Sequence, residues 1–149
     1  MSALAVAPAY DASRGAALTV DLTAVADNTL RLAARASGAL MAVVKADGFG
    51  HGASAVARTA LHNGASWLGV TSIDEALALR WDGLSAPVLS WLNPVDADHA
   101  AALAHDVDLA VPGLDHLAAV ERAAARTGRL ARVHLQLDVG MARDGAAPA

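Results

Sequence analysis

From about residue 39 onward, apolar runs of strand length alternate with segments of helical period, and this alternation constrains the fold more than any other feature of the sequence. Residues 40–44 form a continuous apolar run that ends at Lys45, as expected of a parallel strand buried on both faces. A helix is predicted over 53–62, ending at Asn63 and Gly64, and a strand over 67–70. Ser72 is placed to cap a helix over 73–80, with Glu75 three residues on, as a capping box requires. Strands over 88–92, 109–111 and 133–137 then alternate with helices over 96–104 and 114–127. Such an order predicts parallel β/α units joined by right-handed crossovers. A (β/α)8 barrel needs at least ~200 residues. The 149 residues therefore fit either a small doubly wound sheet or a partial (β/α)8 barrel. The chain stops soon after a strand and a glycine-bearing loop, with no helix to cover that strand, and this favours the partial barrel.

Upstream of the alternation, residues 1–15 read as a flexible lead, and 16–149 as one folded unit. Residues 18–22 alternate apolar and polar and predict a strand. Thr23 is the expected N-cap of a helix over 24–36, with Gly38 as its stop signal.

Composition removes several classes of function. The net charge of -4 and the low aromatic content give no basic or stacking surface for nucleic acid. Cysteine is absent, which excludes disulfides, thiolate metal sites and thiol nucleophiles. The histidines are dispersed, with His99 and His105 the nearest approach to ligand spacing, so no metal is expected. No apolar run nears the roughly 18 residues that a membrane helix needs, and a soluble cytoplasmic protein is expected.

The segment Ala42-Val43-Val44-Lys45-Ala46-Asp47-Gly48-Phe49-Gly50-His51-Gly52 carries the clearest chemistry. Lys45 ends an apolar strand, which puts its ammonium at the C-terminal mouth of a parallel sheet, where such folds bind ligands. Burial disfavours a charged amine, and a neutral lysine can form a Schiff base with an aldehyde or act as a base. The glycines allow a sharp turn and a close backbone approach to a ligand. A strand-end lysine that simply reaches solvent is the plainer alternative. Ser54 and Ser72 lack a nucleophile elbow. Asp96 and Asp98 read as first-turn residues complementing a helix dipole, and Glu121, Arg122 and Arg126 as a solvated helix face.

This segment resembles the cofactor-lysine motif of the alanine racemases, fold-type III pyridoxal-phosphate enzymes. The likeness continues through Arg58, Gly64, the 75–80 stretch and Pro87 to the late run Asp138-Val139-Gly140-Met141-Ala142-Arg143, spanning about residues 18–145. It implies the N-terminal part of a (β/α)8 barrel, with the 18–22 strand belonging to a second, β domain. It implies racemisation of L- and D-alanine, a supply of D-alanine for peptidoglycan precursors, and a head-to-tail homodimer. Lys45 would hold pyridoxal 5'-phosphate and serve as the base on one face. Phe49 would adjoin the cofactor, as would Trp91 unless it is simply a strand-end core aromatic, and Met141 (through its backbone) and Arg143 would adjoin the substrate carboxylate. His51 would have a structural role in the loop, and Asp138 would orient the segment carrying Arg143.

Three departures bear on this reading. Phe49 stands where the family usually has a tyrosine whose hydroxyl reaches the phosphate, a bond worth roughly 1.5–3 kcal/mol. Gln136 stands where many relatives have a carbamylated lysine beside the arginine; its amide oxygen could accept from Arg143 instead. The family's opposite-face base is a tyrosine from a C-terminal domain, and the only tyrosine here, Tyr10, is in the lead. The 149 residues alone are therefore expected to be inactive as a racemase. A broader racemase, a D-amino-acid aldolase of the same barrel class and a non-catalytic pyridoxal-phosphate-binding protein are the alternatives.

Overall fold

The computed structural model describes residues 15–16 and 18–147. Tyr10 and most of the expected lead lie outside them. Five strands form one parallel sheet: β1 (Leu40–Val43), β2 (Ala65–Val70), β3 (Val88–Ser90), β4 (Val107–Val111) and β5 (Val133–Leu135). Their spatial order is the chain order, β1-β2-β3-β4-β5, and every neighbouring pair is parallel. A doubly wound sheet reverses its order partway, whereas barrel strands follow one another in sequence. The observed order is that of a partial barrel.

The helices are α1 (Leu22–Ala33), α3 (Ala53–His62), α4 (Ile73–Trp81), α5 (His99–Ala104) and α6 (Leu114–Thr127); the short turn α2 (Lys45–Gly50) is described with the site. Two of them have the expected bounds, because their ends carry strong signals. Asn63 caps α3, and Gly128, at φ 66°, ends α6 in the left-handed conformation that glycine adopts most readily. Ser72 caps α4, its hydroxyl accepting from the Glu75 amide at 3.2 Å. At α5 the Asp98 side chain accepts from the Ala101 amide, so Asp98 is the cap, and Asp96 precedes the helix.

The core lies between one sheet face and these helices. Val44, Leu68, Val70, Val88, Val107, Leu109 and Val111 point outward from the sheet. They meet Ala57, Ile73, Ala76, Leu79, Leu103 and Val120 from the helices. Fully burying one such leucine or valine contributes about 1.5–3 kcal/mol. The alternate residues face what would be the inside of a barrel. Val43 there is 53% exposed, so the expectation that residues 40–44 are buried on both faces does not hold. Only the outer face is covered by helices among the described residues.

The strand expected over 18–22 is not formed. Residues 18–21 have no ladder partner among the described residues, and unpaired backbone gains nothing from being extended. The helix instead begins at Leu22, because the Asp21 carboxylate rather than Thr23 provides the cap, accepting from the amides of Thr23 at 2.9 Å and Ala24 at 3.2 Å. β4 begins two residues earlier than expected because Asp108, a charged residue within an apolar run, is paired on the inner face.

Candidate active site at the carboxyl end of the sheet

β1 runs directly into a left-handed helical turn, α2, which starts at Lys45. Ala46, Asp47, Gly48 and Phe49 all have φ between 54° and 62°. For residues other than glycine this conformation costs roughly 1–2 kcal/mol each, and only one of the four is glycine. The sequence suggested an open glycine loop here; the chain instead forms a specific strained turn held by hydrogen bonds. The Gly48 amide donates to the Val44 carbonyl at 2.9 Å, and the Gly52 amide to the Asp47 carbonyl at 2.9 Å. The Asp47 carboxylate accepts from the Ala53 amide at 2.8 Å, joining the turn to the start of α3. His51 closes on the turn through Nδ1, 2.9 Å from the Gly48 carbonyl, the structural role expected of it.

Glu75 adds a tie from a distant part of the chain. Its carboxylate accepts from the Ala46 amide at 2.7 Å, and from the amide and hydroxyl of Thr71 at 2.9 Å each. Burial pushes the Glu75 carboxyl up, but the bonds from Ala46, Thr71 and Ser72 outweigh it and hold its pKa below the ordinary value. The sequence marked Glu75 as part of a capping box and of the family-like 75–80 stretch, with no role at the site. Its reach to Ala46 spans 29 residues and has no local signature.

The structure brings Lys45 to Phe49 and Trp91 to Arg143, as two groups, and leaves Met141 outside both. Lys45 is half-buried, and its Nζ stands 5.5 Å from the centroid of the Phe49 ring. No carboxylate among the described residues forms a salt bridge with it. The second group lines a cavity of about 300 Å³, where Leu89, Trp91, His134, Gln136 and Arg143 converge. The Trp91 ring lies over Gly69, where a Cβ would come within 2.8 Å of the ring and of Met41 Sδ. A bare glycine on β2 therefore makes the space for the indole.

The loop that presents Arg143 is organised by Asp138, as expected. Its carboxylate accepts from Gly140 at 2.9 Å and Ala142 at 3.0 Å. Bonds from Ala142 first, then Gly140, with Met141 adding to them, hold the Asp138 carboxyl below its usual range. The loop closes where the Asp138 amide donates to Ala146 O at 2.9 Å and the Ala146 amide to Gln136 O at 2.8 Å. Gly145 has φ 127°, and a Cβ there would stand 2.6 Å from Asp138 N. Two further details describe the loop. The Met141 amide is directed at Asp138, and the side chain is 73% exposed. The Gln136 amide nitrogen donates to the Asp144 carbonyl at 3.2 Å, and no bond to Arg143 is formed among the described residues.

Deeper on the inner face is a charged group that the sequence did not reveal. Asp108 is 1% exposed and accepts from Arg132 Nε at 2.7 Å; its other oxygen is 3.1 Å from His134 Nε2. The His134 ring also meets Trp67 edge-on, with centroids 5.8 Å apart.

Residues 20–149 match the family model described as alanine racemase, N-terminal domain. The alanine racemase of Mycobacterium ulcerans (strain Agy99) is 54% identical over 131 residues, 87% of this chain and 34% of that protein. The crystal structure of alanine racemase from D-cycloserine-producing Streptomyces lavendulae matches with a TM-score of 0.85 at 42% identity, over 87% of this chain and 34% of that one. A histidine racemase from Leuconostoc mesenteroides matches with a TM-score of 0.73 at 30% identity, over 85% of this chain and 34% of that one. The chain spans about a third of the length of the relatives it matches. Its parallel sheet and alternating helices correspond to the N-terminal part of their barrel.

Proposed function

The chain belongs to the alanine racemase N-terminal domain family, and from that premise we propose that it supplies the cofactor lysine and part of the substrate pocket of a pyridoxal-phosphate-dependent racemase acting on alanine. The observation that carries this reading is Lys45. It follows β1 and opens α2 at the carboxyl end of a barrel-type sheet, where such sheets bind ligands, on a turn tied down from three sides.

The residues present fit pyridoxal 5'-phosphate at its aldehyde and ring end. The Lys45 amine has no acidic partner among the described residues to hold it away from an aldehyde, and the Phe49 ring beside it is an apolar neighbour for a flat heteroaromatic. Phe49 offers no hydroxyl to a phosphate, so that end depends on other donors. When bound, the cofactor supplies an electron sink for the pair released as the substrate's Cα–H bond breaks. Lys45 would hold the cofactor and then take or return a proton at that Cα from one face. Arg143 would bind the substrate carboxylate through its planar fork of donors, with Met141 beside it in the same loop. Trp91 would wall the cofactor side of the cavity.

The matched relatives extend well beyond this third of their length, and the opposite-face base and most phosphate ligands are proposed to come from the remainder. The 149 residues alone would then not racemise alanine. A head-to-tail homodimer in the cytoplasm is part of the same reading. No helix among the described residues is long and apolar enough to cross a membrane.

A second reading is a racemase of wider amino-acid range. It is favoured by Gln136, which is engaged with Asp144 rather than with Arg143, and by the fold shared with a histidine racemase. The test is borohydride reduction of the whole enzyme carrying this chain, loaded with pyridoxal phosphate, followed by peptide mass. The label is expected on Lys45. Lys45→Ala should remove it and lower alanine racemisation by at least about 10²–10⁴-fold, the scale of a lost acid–base group. A label on another residue would overturn the assignment. A panel of amino-acid substrates separates the two readings.

A further inference from the structure

A strained turn stays in place only where its surroundings over-determine it. The amide after Lys45 belongs to Ala46, the first left-handed residue of α2. That amide is held by one side chain, Glu75, which comes from the first turn of α4. Glu75 is itself held firmly. Its own amide is capped by Ser72, and its second oxygen takes two bonds from Thr71, at the end of β2. One carboxylate thus links the carboxyl ends of β1 and β2 to the start of α4. A simple helix-capping residue has no need to reach 29 positions back to the neighbour of a lysine.

We propose that Glu75 is a positioning residue for Lys45: by holding the Ala46 peptide it fixes the direction from which the Lys45 amine meets the cofactor. This rests on the reading of Lys45 as the cofactor lysine. The charged form suits the task, because three donors converge on it and an ionised carboxylate has only acceptors to offer. A glutamine at 75 keeps one oxygen, which the two Thr71 donors draw to their side, and its NH2 group then faces the Ala46 amide, donor against donor.

The experiment uses the whole enzyme carrying this chain, comparing wild type, Glu75→Gln and Ser72→Ala. Amide hydrogen exchange at Ala46 needs no cofactor and reads the tie directly. Glu75→Gln should speed it at least about tenfold and should also speed release of bound pyridoxal phosphate and shift its absorbance band. Ser72→Ala weakens the same helix start but leaves the Glu75 carboxylate in place, so its exchange at Ala46 and its absorbance band should remain those of wild type. If Glu75→Gln does not fold, Thr71→Val removes one of the three bonds and should raise Ala46 exchange severalfold. Unchanged exchange and absorbance in Glu75→Gln, or in Thr71→Val where that variant replaces it, would overturn the proposal. So would a Ser72→Ala variant that reproduces the Glu75→Gln changes, because α4 capping alone would then explain them. Wild-type enzyme that carries no cofactor on Lys45 would defeat the underlying reading instead. The proposal would fall with it, while faster Ala46 exchange in Glu75→Gln would still identify a tie of purely structural purpose.

Discussion

Asp108 is buried at 1% exposure, while the two groups that balance it, Arg132 and His134, remain 57% and 43% exposed at their side chains. This asymmetry makes removal of the two partners unequal. Without Asp108, Arg132 and His134 turn to water. Without Arg132, a carboxylate is left in the interior with one imidazole beside it, and a buried charge stripped of its partner is costly. Arg132 also feels the pairing: its bond to Asp108 raises its pKa, more than the burial opposing it. Arg132→Met is expected to cost about 3 kcal/mol, reduced where water reaches the exposed side, and Asp108→Asn about 1 kcal/mol. Urea unfolding of the two variants checks the order. Equal losses would mean that the carboxylate is solvated. At this scale the sequence was informative where function needs a distinctive string. Lys45 stood out because a charged residue ended an apolar run inside a glycine-bearing segment. Glu75 and Asp108 did not, because their partners lie 29 and 24 residues away and only the folded sheet brings them together.

Elements were legible where local physics decides them. The α6 helix is bounded by its own glycine, and α4 by Ser72, so their ends could be read without tertiary information. Elements that depend on a partner were not. The 18–22 strand had the right alternation but no ladder partner among the described residues, and α2 is held left-handed by local hydrogen bonds together with the one from Ala46 to Glu75. The packing of α5 on α6 carries a consequence that the sequence does not display. His99 opens α5 at 5% exposure. Burial lowers its pKa, and His116 and Arg122 on α6 push the same way, against the Ala97 carbonyl and Asp98. The folded form therefore binds a proton less readily than the unfolded one, whose imidazole titrates near 6.5. As pH falls below about 6.5, the unfolded chain gains a proton that the folded chain resists, and stability drops. Above that value the imidazole is neutral in both states and has no effect. Melting temperature should fall between pH 7 and pH 5, and His99→Gln should flatten that slope. An equal slope in the variant would assign it to other groups.

The sheet is covered by helices on its outer face along β1 to β4, and is open on its inner face and at β5. The helices bury the outer face, but Val43, at 53% exposure, is left on the inner side. β1 and β5 each have a neighbour on one side only, so two rows of backbone donors and acceptors remain unpaired along the described edges. β5 is exposed throughout, with Leu135 at 68%. In a closed barrel the inner residues pack in layers and there is no edge. The alternation in the sequence narrowed the architecture to a doubly wound sheet or a partial barrel, and the spatial strand order that separates the two exists only in the fold. Nor could the sequence show which inner residues would be left uncovered, since that depends on how far the sheet curls. An open apolar face with free strand edges is a strong drive to associate. The 149-residue chain, purified by itself, is expected to elute in size exclusion with light scattering as oligomers or aggregates. A charged residue at Val43 or Leu135 should shift it toward monomer. A stable monomer of the unaltered chain would mean that the open face and the free edges do not drive association.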